Sequence, residues 1–239
     1  MKKENFPAQV LLVNPHYNGR SEIPPLGLEC VAAPLLKNRI PVSILDLDLV
    51  PGEKTETFLE NELKKLIPRI IGVTALSNSF PSALDVCKKV KQVHPGALTV
   101  MGGMHPTVLA DPILKTCREV DIIVRGEGEI TFLELASSVL HGRPWNRLEG
   151  LSFRDGDDFV HNGERPLERD LETFPRPAHD LVENGRYRGR SVSSSRGCPH
   201  RCTFCSIQSM YHRTVRSRSI PSLIEEMGEL IDSGANRIM

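Results

Sequence analysis

The sequence predicts an α/β fold: a five-stranded, doubly wound parallel sheet of the Rossmann or flavodoxin-like kind, then a hairpin and linker, then the first strand–helix unit of a second domain. Three observations carry this. Residues 8–141 alternate short β-branched apolar runs with amphipathic segments, the pattern of βαβ units. The runs are nearly continuous in apolar character, as strands covered by helices on both faces require. Charge marks the boundary: all ten lysines lie at or before Lys115, whereas nine arginines fall between Arg176 and Arg218 against only Asp180 and Glu183. The expected division is 1–141, 142–190 and 191–239.

QVLLVNP opens the sheet, and PVSILDLD, RIIGVTA, ALTVMGG and VDIIVRG follow as its other strands. Between the second and third, ETFLENELKKLI places Leu59, Leu63, Leu66 and Ile67 on one helical face. SALDVCKKVKQV then does the same with Ala83, Leu84, Cys87 and Val90. Cys30, Cys87 and Cys117 have no companions nearby and read as small buried hydrophobes.

Ligands of a doubly wound sheet bind beyond the carboxyl ends of its strands. The loops there are NPHYNGRSEIPPLGL, LSNSFP, GGMHPT and GEGE. Gly102, Gly103, Gly126 and Gly128 either let backbone approach a ligand or simply make tight turns. No G-x-G-x-x-G follows the first strand and no G-x-x-x-x-G-K-[ST] occurs, which disfavours a nicotinamide cofactor or a nucleoside triphosphate.

GLSFRDGDDFVHNGERP, two alternating runs around an Asp-Gly turn, reads as a small hairpin. LERDLETFPRPAHDLVENGRYRG has two prolines and no period, and reads as an extended linker. His161 and His179 have no metal-ligand spacing and read as solvated loop histidines.

Composition narrows the chemistry. With 39% hydrophobic and 25% charged residues in 239, the chain can bury a sizeable core. A formal net charge of zero gives no support for non-specific attraction to nucleic acid or anionic lipid. No apolar run reaches the ~18 residues of a membrane span, and MKKENFPAQ lacks a secretory apolar stretch. A cytoplasmic, reducing location is expected, where clustered cysteines are metal ligands or redox groups.

Such a cluster occupies residues 193–207, SSSRGCPHRCTFCSI, with Cys198, Cys202 and Cys205 spaced C-x3-C-x2-C after the strand-like RSVSSS. Structural zinc wants four ligands, usually from paired C-x2-C units, and only one pair exists here. His200 would have to fold back between its neighbours to complete the set. Three thiolates suit an iron–sulfur cubane with one iron left open.

The pattern C-x3-C-x-Φ-C, with Phe204 as the aromatic, resembles that of radical S-adenosylmethionine enzymes. The resemblance implies that Cys198, Cys202 and Cys205 ligate a 4Fe-4S cluster whose open iron chelates S-adenosyl-L-methionine, and that Phe204 lies against the adenine. One electron, from a donor such as flavodoxin or ferredoxin, would then release a 5'-deoxyadenosyl radical to act on a small-molecule or peptide substrate. Arg196, Arg201 or Arg213 could offset the cluster's negative charge, or could form a solvated basic loop. Tyr187 and Tyr211 interleave with these arginines, as an RNA-contacting stretch would; the basic run is short and overlaps the cluster, so nucleic acid is disfavoured.

PPLGL, GGMHPT and VDIIVRGEGE, in that order, resemble the cobalamin-binding domain that precedes the radical domain in one branch of that family. By position, the implied cobalamin contacts are Leu26, Gly27, Ser77, Asn78, Gly102, Gly103, His105, Thr107, Gly126 and Glu127. There is no D-x-H-x-x-G, so the histidine that replaces the lower base in other cobalamin proteins is absent, and His105 is not assigned as a cobalt ligand.

After the cysteines, SIPSLIEEMGELIDSG places Ile220, Leu223, Ile224, Met227, Leu230 and Ile231 on one helical face. Pro221 suits its first turn and Gly234 its C-terminal cap, and ANRIM begins another strand. A radical-enzyme barrel needs several further strand–helix units, so the chain is expected to be an inactive or partial fragment. For the intact protein the resemblance implies methyl transfer from methylcobalamin to an unactivated carbon or phosphorus, or ring formation. The rival readings are a methylthiotransferase-like enzyme acting on transfer RNA and a cobalamin carrier or sensor without catalysis. The first would carry further cluster cysteines in its N-terminal domain, for which Cys30, Cys87 and Cys117 are poor candidates.

Overall fold

The computed structural model describes residues 9–17 and 22–239; residues 1–8, and residues 18–21 of the loop after the first strand, lie outside the described residues. The chain runs β1 (Val10–Asn14), α1 (Leu26–Lys37), β2 (Val42–Asp46), α2 (Thr55–Leu66), β3 (Ile70–Thr74), α3 (Phe80–Val93) and β4 (Leu98–Gly102). Then come α4 (Met104–Val108), α5 (Ala110–Thr116), β5 (Ile122–Val124) and α6 (Gly128–Leu140). The five strands are parallel in the order β2-β1-β3-β4-β5, so the winding reverses between β1 and β3. Two cores follow from strand alternation. Leu11, Val13, Ile71 and Met101 pack with Leu63, Ala83, Cys87 and Leu114 on one face. Val10, Leu12, Ile70 and Val100 pack with Ala32, Leu35, Phe132 and Leu135 on the other.

Leu59 and Leu63 are buried as the periodicity requires, but Ile67 is not part of α2. It caps the helix in the left-handed region (φ 47°), and Pro68 after it disfavours continuing the α-helix through this position.

The hairpin forms, as β6 (Leu151–Asp155) and β7 (Asp158–His161), and it joins the main sheet. β6 pairs antiparallel with β5, Val124 facing Leu151 and Ile122 facing Phe153, which makes a seven-stranded sheet. A three-residue apolar strand would otherwise leave an open edge. His161 is not a solvated loop histidine: its Nδ1 lies 2.8 Å from Ser152 Oγ and its Nε2 2.6 Å from Asp111 Oδ1.

The segment from 162 to 190 is strapped across the first domain. Ala178 N–H donates to Glu29 O (3.0 Å) and Tyr187 Oη to Asp46 Oδ2 (2.9 Å). His179, expected to be solvated, is the centre of the strap, with Nδ1 2.7 Å from Glu29 Oε2 on α1 and Nε2 3.0 Å from Glu226 Oε1. Glu29 also takes Arg190 at 3.1 Å, and Glu226 also takes Arg218. None of these pairings is visible locally, since the partners lie 47 to 161 residues apart, except Arg218 and Glu226 at 8.

The last part contains β8 (Ser195–Arg196), α7 (Gln208–Tyr211), β9 (Arg216–Ser217) and α8 (Ile220–Asp232). Arg190 and Ile238 form a parallel bridge, with Arg190 N–H to Arg237 O at 2.9 Å and Met239 N–H to Arg190 O at 2.8 Å. RSVSSS and ANRIM therefore start a parallel pair joined across α8. Ser219 caps α8 by accepting from Ser222 N–H, and Gly234 closes it at φ 96°. The apolar face read from spacing points inward only in part: Leu230 is 2% exposed and Leu223 half-buried, but Glu226 is fully buried while Ile224 is 63% exposed. Glu226 is held inside by His179 and Arg218, and those ionic contacts fix the rotation of the helix. Among the described residues no helix is long and apolar enough to cross a membrane.

Candidate functional site

A cavity of about 360 Å³ opens at the carboxyl ends of β1, β3, β4 and β5. Its floor is Leu12, Gly72, Val100, Val124 and Phe132; one wall is Leu26, Gly27 and Cys30 of α1. Gly102, Gly103, Gly126 and Glu127 contribute the loops. The opposite wall is not from the sheet domain at all: Ser195, Arg196, Gly197, Met210 and Tyr211 complete it. Gly72 is required beneath the Phe132 ring, because a Cβ there would stand 2.7 Å from Leu12 Cδ2 and 2.9 Å from Phe132 Cε2.

The loop after β4 is fixed by glycine geometry. Gly103 has φ 102°, and a Cβ would meet Ala75 O at 2.8 Å. Thr107 Oγ1 donates to Gly103 O (2.8 Å) and accepts from Gly126 N–H (3.1 Å), which ties the β4 and β5 loops together. His105 turns aside: its ring lies 4.4 Å from Phe80 and its Nδ1 3.0 Å from Ser77 Oγ. Burial holds its imidazole below the ordinary value. Cys30 was read as a small buried hydrophobe; it is half-buried and lines the cavity. Desolvation first, then the nearby Glu129 carboxylate, push its thiol up to about 12, so it stays protonated.

Next to that wall the chain forms a necked loop. β8 and β9 pair antiparallel, Ser195 with Ser217 and Arg196 with Arg216. At the neck Gly197 (φ 96°) crosses so close to Thr214 that a Cβ would stand 1.8 Å from its carbonyl oxygen. The loop carries three free thiols, Cys198 and Cys205 half-buried and Cys202 exposed. Cys205 N–H donates to Cys202 O (3.2 Å), and Gln208 donates to His200 O. Phe204 is 90% exposed. Among the described residues no three His, Cys, Asp or Glu side chains are gathered into a metal-binding group.

Residues 18–136 match the B12 binding domain family. Over 212 residues the chain is 32% identical to an uncharacterized methyltransferase of Pyrococcus horikoshii, an alignment that covers 87% of this chain and 46% of that protein. The chain belongs to the radical S-adenosylmethionine proteins with a B12-binding domain. Over 240 residues it is 30% identical to the anaerobic magnesium-protoporphyrin IX monomethyl ester cyclase of Rubrivivax gelatinosus, covering 93% of this chain and 42% of the cyclase. It thus spans a little under half the length of these relatives. The fold matches the radical S-adenosylmethionine methyltransferase TsrM from Kitasatospora setae, solved with cobalamin and a 4Fe-4S cluster bound, at a TM-score of 0.78 and 20% identity; the match covers 98% of this chain and 47% of that one.

Within the B12-binding domain, the cavity brings together Leu26, Gly27, Gly102, Gly103, Gly126 and Glu127 from the residues implied by sequence. Ser77, Asn78, His105 and Thr107 do not line it. Two features suit a large, mostly apolar ligand: an aromatic-floored cavity at the switch end of the sheet, and exposed backbone at the glycines of its walls and loops. The donor set of the radical S-adenosylmethionine loop is also suitable, with three unbonded thiols on one necked loop. Of the arginines weighed against cluster charge, Arg196 is committed to Glu127 (3.0 Å) and Glu129 (2.6 Å). Arg201 and Arg213 are exposed. Tyr187 is bound to Asp46 and Tyr211 lines the cavity, so neither ring flanks an open basic face. Sequence reasoning missed Phe132, Cys30, Met210 and Tyr211. Only Cys30 carried a local signal, lying four residues beyond Leu26 in the first turns of α1.

Proposed function

We infer that this chain is the cofactor-carrying portion of a cobalamin-dependent radical S-adenosylmethionine enzyme whose whole protein transfers a methyl group to an unactivated carbon or phosphorus. The observation that carries it is the shared wall: Arg196 and Gly197, which line the cavity of the B12-binding domain, lead directly into Cys198. A site for a corrin and a site for a cluster are thus neighbours. When bound, the cluster supplies the electron that cleaves S-adenosyl-L-methionine, and methylcobalamin supplies the methyl group. Cys198, Cys202 and Cys205 would serve as the three thiolate ligands, and Phe204 would lie against the adenine. Leu26, Gly27, Gly102, Gly103, Gly126 and Glu127 border the corrin, with Ser77, Asn78, His105 and Thr107 on the adjoining loops. Phe132 and Leu12 keep water from its buried face. A small-molecule or peptide substrate and a flavodoxin- or ferredoxin-like donor are the partners this chemistry needs.

The ungathered thiols favour one alternative, a cobalamin carrier without catalysis. Anaerobic reconstitution with ferrous iron, sulfide and hydroxocobalamin separates the two. The enzyme reading expects about four irons per chain, lost in Cys198→Ala with cobalamin retained. Cobalamin without iron leaves the carrier, and zinc in place of iron overturns the cluster.

A second substitution tests the cavity. Gly27 has no atom within 4 Å of a Cβ position and no strained φ, so Gly27→Leu fills the cavity without straining the backbone. Hydroxocobalamin affinity, read from its absorbance, is expected to fall at least about tenfold, roughly 1.4 kcal/mol. The unfolding midpoint is expected to hold or rise, because leucine is the better helix former. Unchanged affinity would place the corrin elsewhere.

A further inference from the structure

The β8–β9 neck has a feature that should open it. Arg196 and Arg216 are directly opposite each other across the two strands, and like charges in that position repel. Each strand is only two residues long, so backbone pairing alone holds little. The repulsion is answered from the other domain. Glu127 accepts from Arg196 Nη1 (3.0 Å) and Arg216 Nη2 (2.8 Å) through Oε1, and from Arg216 Nη1 (2.9 Å) through Oε2. Glu129, two residues further on in the first turn of α6, takes Arg196 at 2.6 Å. Arg216 also donates to Glu168 O (2.6 Å) and is 6% exposed. Burial would raise the Glu127 carboxyl, but the hydrogen bonds from Arg216 and Arg196 outweigh it and keep the group below its ordinary value.

We propose that Glu127 is a positioning residue: it clamps Arg196 and Arg216 together, closes the neck of the cysteine loop, and so seats Cys198 and Cys205 beside the cavity. The GEGE turn thus does more than border a corrin. Both Glu127 oxygens are occupied by guanidinium groups, which leaves this carboxylate tied to the neck rather than free for a ligand. Losing one member of a buried ionic group leaves its partners less compensated: here Arg196 would keep Glu129, while buried Arg216 would keep only the Glu168 carbonyl as a hydrogen-bond acceptor and would face Arg196 across the neck. The functional meaning of the clamp rests on reading residues 198–205 as a ligand loop; its existence does not.

The test uses thiol chemistry on the iron-free chain. Modification of each cysteine by N-ethylmaleimide is timed by mass spectrometry, with exposed Cys202 as the internal reference for Cys198. Glu127→Gln is expected to raise the Cys198 to Cys202 rate ratio at least about tenfold, as loss of a buried ionic partner should open the neck. The double variant Glu127→Gln with Arg216→Met removes the stranded repulsion and is expected to return the ratio to within about threefold of the parent. An unchanged ratio in Glu127→Gln overturns the clamp, and so does a double variant as reactive as the single one. If Glu127→Gln fails to fold, Glu127→Asp, whose shorter carboxylate reaches fewer of the donors, is expected to give an intermediate ratio, and a parent-like ratio there overturns the clamp. The parent's Cys198-dependent iron content is measured in parallel. Absent iron would defeat the ligand-loop reading, and the alkylation ratio would still decide the clamp.

Discussion

Gly197→Ala is expected to abolish iron loading while leaving the B12-binding domain folded. The added methyl would lie 1.8 Å from Thr214 O, at a backbone position with φ 96°. Neither the carbonyl nor the dihedral can yield without separating β8 from β9, because both belong to the neck. Steric overlap with backbone combined with left-handed strain belongs to the class of substitutions that cost about 4 kcal/mol or more. The damage should remain local, since the two cores lie on the two faces of the sheet and include no residue of the loop. Far-UV circular dichroism and the main unfolding transition should be close to the parent, whereas N-ethylmaleimide should reach Cys198 and Cys205 as fast as Cys202. Parent-like iron content in Gly197→Ala would show that the neck is unnecessary.

The second large effect is a pH-dependent one, at the strap. His179 sits between Glu29 and Glu226, whose other oxygens face Arg190 and Arg218. Burial alone would lower the imidazole; the hydrogen bonds to Glu226 and Glu29 more than reverse this and raise it from 6.5 to about 9. A group whose folded value is raised stabilises the fold fully below its unfolded value and loses that contribution as pH climbs through the folded one. The ionised His179 should therefore contribute roughly 3 kcal/mol below pH 6.5, declining to little above pH 9. His179→Gln is expected to destabilise the chain strongly in denaturant at pH 6 and weakly at pH 9.5. Equal destabilisation at both values would mean that His179 acts by packing alone.

These two residues mark the limits of what the sequence discloses. The inner parallel strands are legible because each buries both faces and so is largely apolar along its length, whereas the edge strand β2 is only half-buried and carries Ser43 and Asp46. The cysteine loop is legible because its C-x3-C-x2-C spacing is a short, restricted pattern that stands out without knowledge of the fold. His179 is not, because its partners are supplied by α1 and α8, 150 and 47 residues away. The same ionic contacts explain why the apolar periodicity of α8 identifies its inward face only in part: Leu230 is buried as expected, but Glu226 is drawn under the strap, and Ile220, Ile224 and Ile231 are turned out. The hairpin is legible as a hairpin, but its docking on β5 answers an edge-pairing need that lies outside its own residues. Among the cavity residues, the loop glycines are readable from their place after strands. Met210 and Tyr211 are not, since they reach the cavity only through the folding of a later segment against it.

Gly72 bears on ligand choice. With no side chain there, the ring of Phe132 rests directly on the sheet, and the cavity has its full depth. A single methyl at this position would press on both Leu12 and the ring and displace them toward the space above. Depth is thus adjustable at one internal residue, independently of every loop around the rim. Relatives that admit ligands of different thickness could differ at this pair alone, and retuning this protein for a slimmer or bulkier corrin analogue would begin beneath the ligand.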